Sequence, residues 1–311
     1  MKKTLIIGGG GYIGSHLSRL LLQRNREVVV LSRGTIPKFE LPNPVKYIVG
    51  DYADEVLMAA ILKDIDEVVH LAYATIPNTS FENPLVDLLE NVPPVVRLFA
   101  SLAKNNIHLL LVSSGGTVYG DIRAEPLKEE LLAKPLSPYG VTKLTLEHYA
   151  YLYSVTHNLK YVCVRPSNVY GVGQRPFVGQ GFVSTSIAAV LKRMPIKIFG
   201  DGENVRDYIY IDDVVYGIFL ALEKGRLGET YNIGTGVGSS NIEVIKMIYS
   251  MLNLDFKSID IKFLPSRIFD VKYNVLDATK LSDETGWTPI TELNDGLNQT
   301  YLWLKDSIYG K

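Results

Sequence analysis

Tyr139 and Lys143 stand four residues apart in Pro138-Tyr-Gly-Val-Thr-Lys143, at the head of a segment of helical length that runs to His157. Residues four apart share one face of a helix, so the Lys143 ammonium can sit beneath the Tyr139 phenol and favour its ionised form. A phenol with an ordinary pKa of about 10 then moves toward working pH, where general acid/base catalysis is most effective. A tyrosine and lysine of this kind need a redox partner. A glycine-rich loop near the N-terminus offers a place for one.

That loop is Gly8-Gly-Gly-Gly11-Tyr-Ile-Gly14, placed after the apolar run Thr4–Ile7 and before a helical segment, Ser15–Asn25. In a strand–turn–helix unit, Gly8 permits the tight turn, Gly11 lets backbone approach a pyrophosphate, and Gly14 allows close helix–strand packing. Tyr12 and Ile13 lie in this loop, just ahead of a helix whose free N–H groups and positive dipole end favour an anion. The loop is predicted to bind a dinucleotide. The second apolar run ends in Leu31-Ser32-Arg33-Gly34, with no carboxylate to accept from a ribose 2′-OH. Ser32 and Arg33 can instead hold a 2′-phosphate, so NADP(H) is favoured and NAD is possible. Asp51, with Tyr52 beside it, either accepts from an adenine amino group or caps its own loop. Leu71 and Ala72, after a further apolar run, would wall the cofactor.

The elements that must position these groups alternate. Short β-branched runs, Thr4–Ile7, Val28–Leu31, Val45–Val49, Glu67–Leu71, Leu109–Val112 and Tyr161–Val164, are separated by helical stretches at Ser15–Asn25, Val56–Lys63, Pro84–Asn105 and Pro138–His157. Strands separated by helices imply right-handed crossovers and a parallel sheet covered on both faces, a doubly wound α/β (Rossmann-type) fold. The rhythm breaks near Gly171, ahead of a helix-like Phe182–Arg193. Residues 1–170 are expected to bind the dinucleotide, with part of 207–235 returning to them. Residues 171–311 are expected to form a smaller substrate lobe.

Composition narrows the partners. A net charge of −1 over 311 residues gives no reason to expect nucleic acid or an anionic membrane. Cys163, the single cysteine, lies in the apolar run Tyr161–Val164, which indicates a buried thiol and a reducing compartment. The N-terminus enters the first strand directly, no apolar run is long enough to span a bilayer, and a cytoplasmic location is expected. No metal site is expected.

Several further motifs occur in order: Gly50-Asp51, His70-Leu-Ala72, Ser113-Ser114…Tyr119-Gly120, Arg165-Pro-Ser-Asn168-Val-Tyr-Gly171, Arg206-Asp-Tyr208 and Arg267-Ile-Phe-Asp270. With the glycine loop and the Tyr139/Lys143 pair, the chain resembles the extended short-chain dehydrogenase/reductases almost end to end. The similarity is to the NAD(P)-dependent nucleotide-sugar epimerase/dehydratase group that includes UDP-galactose 4-epimerases. The resemblance implies Tyr139 as acid/base at the sugar C4 oxygen and Lys143 on the nicotinamide ribose. It implies Asn91 near the cofactor and Asn168 near the sugar diphosphate, Arg206 and Arg267 as a diphosphate clamp, and Asp270 on the nucleotide ribose. It also implies a homodimer built on the helices at Pro84–Asn105 and Pro138–His157; Tyr149, Tyr151 and Tyr153 would lie at that interface or cover the core.

One position departs from the group. Four residues before Tyr119, where a catalytic serine or threonine is usual, stands Gly115, so Ser114 or Thr117 must supply the hydroxyl. The next two positions, Gly116 and Thr117, lack the Asp-Glu pair of the 4,6-dehydratases, which excludes that elimination. Two reactions at C4 remain. The missing acid and Arg33 favour an NADPH-dependent reductase of a nucleotide-activated 4-keto-6-deoxysugar, for example dTDP- or GDP-linked, in deoxysugar or surface-polysaccharide synthesis. The alternative is a nucleotide-sugar 4-epimerase that keeps NAD bound. A non-catalytic dinucleotide sensor is a remote third, disfavoured by the diphosphate arginines.

Overall fold

A computed structural model of the chain describes residues 1–122, 126–255, 258 and 260–309. The first part alternates β1 (Lys3–Ile7), α1 (Tyr12–Gln23), β2 (Glu27–Ser32), β3 (Val45–Val49), α2 (Glu55–Ile61), β4 (Glu67–His70), α3 (Pro77–Glu82), α4 (Pro84–Lys104), β5 (His108–Val112), α5 (Gly115–Val118), α6 (Pro138–His157) and β6 (Tyr161–Pro166). There follow β7 (Asn168–Tyr170), α7 (Phe182–Leu191), β8 (Ile196–Phe199), β9 (Val205–Tyr210), α8 (Ile211–Lys224), β10 (Thr230–Ile233), β11 (Gly238–Ser240) and α9 (Asn241–Met251). The chain closes with β12 (Ile261–Leu264), β13 (Tyr273–Asn274), α10 (Thr279–Thr285) and α11 (Leu293–Tyr309).

Seven strands form one parallel sheet in the order β3-β2-β1-β4-β5-β6-β10. This is the doubly wound α/β fold that the alternation of runs predicts. Period-two alternation explains its two cores. Ile6, Val28, Val30, Val69, Leu110 and Val162 face one way, into a cluster that includes Leu17 and Leu21 of α1 and Ile218 of α8. Leu5, Ile7, Val29, Val68, Leu109 and Cys163 face the other, against Phe99 of α4 and Leu146 of α6. Each such side chain contributes about 1.5–3 kcal/mol on burial. Cys163 is a free thiol pushed well above its ordinary range by burial.

The sheet order reverses between β1 and β4, and ligands of open α/β sheets bind at the carboxyl ends of strands at such a point. A second sheet, with β11, β9 and β13 side by side and β7 also paired to β9, faces that end. In it β7 sets Asn168 opposite Tyr208, and β13 sets Asn274 opposite Arg206. No helix among the described residues is long and apolar enough to cross a membrane.

Candidate active site

The β1–α1 turn is set by sterics. Gly8 takes φ +82°, and a β-carbon there would lie 2.7 Å from the Ala72 nitrogen, so only glycine lets the ends of β1 and β4 approach. On Gly14 a β-carbon would lie 2.4 Å from Gly9 Cα, which fixes how closely α1 packs on the turn. The helix opens at Tyr12, three residues earlier than the sequence pattern suggests, and no side chain caps it. Its first N–H groups are therefore left for a ligand.

A cleft of about 630 Å³ runs from this turn along the strand ends, lined among others by Gly8, Gly11, Arg33, Asp51, Tyr52 and Ala72. Leu71, Ser32 and Tyr73 also border it. The donors fit a dinucleotide: uncapped amides at the turn, an exposed arginine at the end of β2, and Gly11, whose missing β-carbon would meet only the Gly8 oxygen at 3.3 Å. Some residues serve differently than expected. Ser32 accepts from the Gly10 N–H at 3.2 Å and braces the loop, and Asp51 accepts from the Ala53 N–H at 2.9 Å, its loop-capping role. The Tyr12 ring packs edge-on against His16 and beside Phe39, away from the cleft, while Ile13 packs into the core, so both can offer the cofactor only backbone. Asn91 is buried, accepting from the Ala74 N–H at 2.9 Å and donating to the Asp87 carbonyl at 2.7 Å. It shapes the loop after β4.

Helix α6 begins at Pro138, with Ser137 capping the Gly140 N–H at 3.0 Å, and presents Tyr139, Lys143 and Glu147 at successive turns. Three consecutive residues at the end of β5 meet them. Lys143 Nζ donates to the Val112 carbonyl at 2.8 Å, Ser113 Oγ donates to Glu147, and the Ser114 side chain lies near enough to the Tyr139 phenol to lower its pKa. Arg165 of β6 locks the lowest rung, with Nε and Nη2 on the Glu147 carboxylate and Nη1 donating to Tyr119 at 2.9 Å.

The electrostatics correct one expectation. The Tyr139 pKa is raised rather than lowered: burial and the Asp87 carboxylate outweigh the Ser114 hydrogen bond. Lys143 is itself depressed to about 8 by burial, and its ammonium lies 5.7 Å from the centre of the Tyr139 ring. The protein alone therefore holds a protonated phenol. A bound cation beside it would be needed to bring Tyr139 toward neutral pH.

Gly115 is tightly enclosed: a β-carbon there would lie 2.4 Å from Leu276 Cδ1 and 2.9 Å from the Arg165 oxygen. Of the two candidate hydroxyls, Ser114 acts on the Tyr139 phenol, and Thr117 Oγ1 is buried without a partner. Residues that sequence reasoning missed complete this wall. Tyr73 sets its ring 4.7 Å from that of Tyr139, and Ser80 accepts from the Tyr139 N–H at 3.2 Å. Fully buried Asp87 accepts from Thr142 at 2.6 Å. Asp87 lies four residues before Asn91 and Thr142 lies between Tyr139 and Lys143, the only signals the sequence held for them.

The opposite wall comes from the second sheet. Arg206 is largely buried; its Nη1 donates to the Val205 carbonyl at 2.8 Å, and no carboxylate bonds it among the described residues. Burial and nearby Arg267 lower its pKa, against Tyr208 and Asp270. Arg267 and Asp270, expected on different parts of a ligand, are bonded to each other, and Arg267 lies over Phe199 at 4.2 Å and Phe269 at 5.0 Å. Asn168 Nδ2 and Asn274 Oδ1 are buried with no partner. Two clustered guanidiniums and unpaired amides suit a dianion joined to a hydroxylated group.

A glycine turn at a sheet switch point, with a tyrosine and lysine at the neighbouring strand end, defines an extended short-chain dehydrogenase/reductase, an NAD(P)-dependent enzyme class of nucleotide-sugar chemistry. The chain belongs to the NAD dependent epimerase/dehydratase family, whose model matches residues 4–234. It is 32% identical over 306 to 312 residues to relatives that include the UDP-glucose 4-epimerase of Mycolicibacterium smegmatis, with 98% of this chain and 99% of the relative covered. The structure of UDP-glucose 4-epimerase with UDP-glucose from Thermotoga maritima superposes with a TM-score of 0.92 at 32% identity, covering 98% of this chain and 99% of that one. That of the Thermus thermophilus UDP-glucose 4-epimerase in complex with NAD gives 0.89 at 31%, covering 97% and 99%.

Proposed function

We propose that this protein is a nucleotide-sugar 4-epimerase that works with a retained NAD. The carrying observation is the Tyr139/Lys143 pair one turn apart on α6, with the Lys143 ammonium held on the Val112 carbonyl at the end of β5 and 5.7 Å from the Tyr139 ring centre. The 4-epimerase relatives support this over the reductase that Arg33 alone favours. A dinucleotide held by the Gly8–Gly14 turn and by Lys143 would supply reversible hydride transfer at the sugar C4. Tyr139 removes the C4 hydroxyl proton and gives it back after the 4-keto sugar presents its other face, so there is no net redox change. Ser114 holds the C4 oxygen beside the phenol. Lys143 holds the cofactor ribose, and Arg206 with Arg267 anchors the diphosphate while the sugar turns.

A second reading, an NADPH-dependent 4-ketoreductase, rests on Arg33 at the cleft and on Leu31-Ser-Arg-Gly34, which places no carboxylate at the end of β2. The deciding experiment is to denature the purified protein, identify the released dinucleotide, and assay UDP-glucose/UDP-galactose interconversion. Bound NAD with interconversion supports the epimerase. An empty site that takes up NADPH and consumes it with a 4-keto-6-deoxy nucleotide sugar overturns it.

We also propose that the chain is a homodimer. Helices α4 and α6 pack side by side and leave Leu85, Leu88, Val141, Leu152 and Val155 exposed on one surface.

A further inference from the structure

Tyr73 stands outside every motif in the sequence yet touches both members of the proton-transfer pair. The Lys143 ammonium lies 4.1 Å from the centre of the Tyr73 ring, and the Tyr73 ring meets that of Tyr139 edge-on at 4.7 Å and 65°. The Tyr73 phenol is itself fixed. Thr142 Oγ1 has one proton and donates it to Asp87 Oδ2 at 2.6 Å, so in the hydrogen bond between Tyr73 and Thr142 the phenol must be the donor. Asp87 also accepts from Thr75, which leaves it no reason to take the phenol proton.

The site therefore holds two phenols with different work. Tyr139 has the Ser114 side chain acting on its phenol; Tyr73 is committed to Thr142 and burial keeps it protonated. What Tyr73 offers is its ring face. Lys143 is buried, donates to the Val112 carbonyl, and has no salt bridge among the described residues. The charged and titratable groups around it are Glu147 and Tyr139 on its own helix, Asp87 on α4, Cys163 on β6, and His70 at the end of β4. Burial and then Lys143 lower His70 to about 3, so it stays neutral. The negative groups act from a distance, and the Tyr73 face is in contact.

We propose that Tyr73 is a positioning residue whose ring face holds the Lys143 ammonium and sets its angle to Tyr139. This rests on the reading that Tyr139 and Lys143 carry the proton transfer, but its test does not need that activity. The Lys143 side-chain resonance of isotopically labelled protein, assigned by its loss in Lys143→Met, is titrated in wild type, Tyr73→Phe and Tyr73→Leu. Phenylalanine keeps the face and leucine removes it. A contact of this kind corresponds to a fall of about one unit in the Lys143 midpoint for Tyr73→Leu and roughly none for Tyr73→Phe. If Tyr73→Leu does not fold, fluorinated phenylalanines at position 73 weaken the face at nearly constant shape and should lower the midpoint stepwise. A midpoint unmoved by leucine or by fluorination overturns the proposal, and so does an equal shift in Tyr73→Phe. Turnover is the second readout: kcat of Tyr73→Leu should fall by about tenfold or more at unchanged KM, since misplacing a proton-transfer group costs this much. An unchanged kcat alongside a shifted midpoint would overturn the positioning role. Loss of all turnover in wild type would count against the epimerase and leave the titration result standing.

Discussion

Arg267 grips Asp270 with two hydrogen bonds, Nε to Oδ2 at 2.8 Å and Nη2 to Oδ1 at 2.9 Å, while Arg206 beside them bonds no carboxylate among the described residues. The pair neutralises one of two neighbouring cations and leaves the buried one for the ligand. Arg206→Met should raise KM for the nucleotide sugar by about 10–100-fold with little change in kcat, the loss of one charged hydrogen-bonding group. Without ligand the variant should melt at the wild-type temperature or above, because a buried uncompensated charge is removed. A lower melting temperature would show that Arg206 is structural.

Ser114→Ala should reduce kcat by about 10²-fold by removing the hydroxyl at the phenol. Gly115→Ser should not restore it. A side chain at 115 meets Leu276 and the Arg165 carbonyl, and overpacking of this kind costs about 1–3 kcal/mol. Recovery of turnover in a Ser114→Ala/Gly115→Ser double variant would reverse the assignment.

Lys143 has a folded pKa of about 8 against an ordinary 10.5, so folding disfavours its charged form. Stability should therefore rise as pH increases from 8 toward 10.5, where the unfolded chain still binds the proton and the folded one does not. Lys143→Met removes this and should be more stable than wild type at neutral pH by roughly 2–4 kcal/mol. The gap should shrink to less than half by about pH 10. Urea titrations at the two pH values decide it, and a gap that widens with pH would show the sign to be wrong.

For the proposed dimer, Leu152→Glu with Val155→Glu should convert the sedimenting species from dimer to monomer, since like charges on an apolar interface are strongly unfavourable. Both side chains are exposed, so the monomer should keep its melting transition. Wild type that sediments as a monomer would exclude this interface.

The sheet was legible because β-branched runs of strand length, spaced by helical stretches, leave few topologies open. Its seventh strand was not, because Thr230–Ile233 is short and its place beside β6 depends on contacts far along the chain. At the site, motif spacing located Tyr139, Lys143 and Arg206 but not the direction in which a side chain points. Counting back from Tyr119 marked Gly115 as a gap but could not show that Leu276 and the Arg165 carbonyl close the space around it. Asn91 and Asp270 were placed at a ligand by the family resemblance, which carries no information on their partners within this chain; each has one. Tyr73 directly follows His70-Leu-Ala72 and Asp87 lies four residues before Asn91, but neither residue type marked a role there. Arg33 drew the reading toward NADP, although the Thermus relative is in complex with NAD.

Lys143 and Glu147 are tied to Val112 and Ser113 between one strand end and one helix. The next step of the same turn is held from the second sheet: Asn274 of β13 donates to the Gly115 carbonyl at 3.0 Å, and Leu276 fills the space beside Gly115. The sheet that carries Arg206 is thereby fastened to the turn that follows Ser114. A sequence change that reshapes β13 for another sugar would be felt at the proton-transfer end, so specificity and chemistry are expected to evolve together.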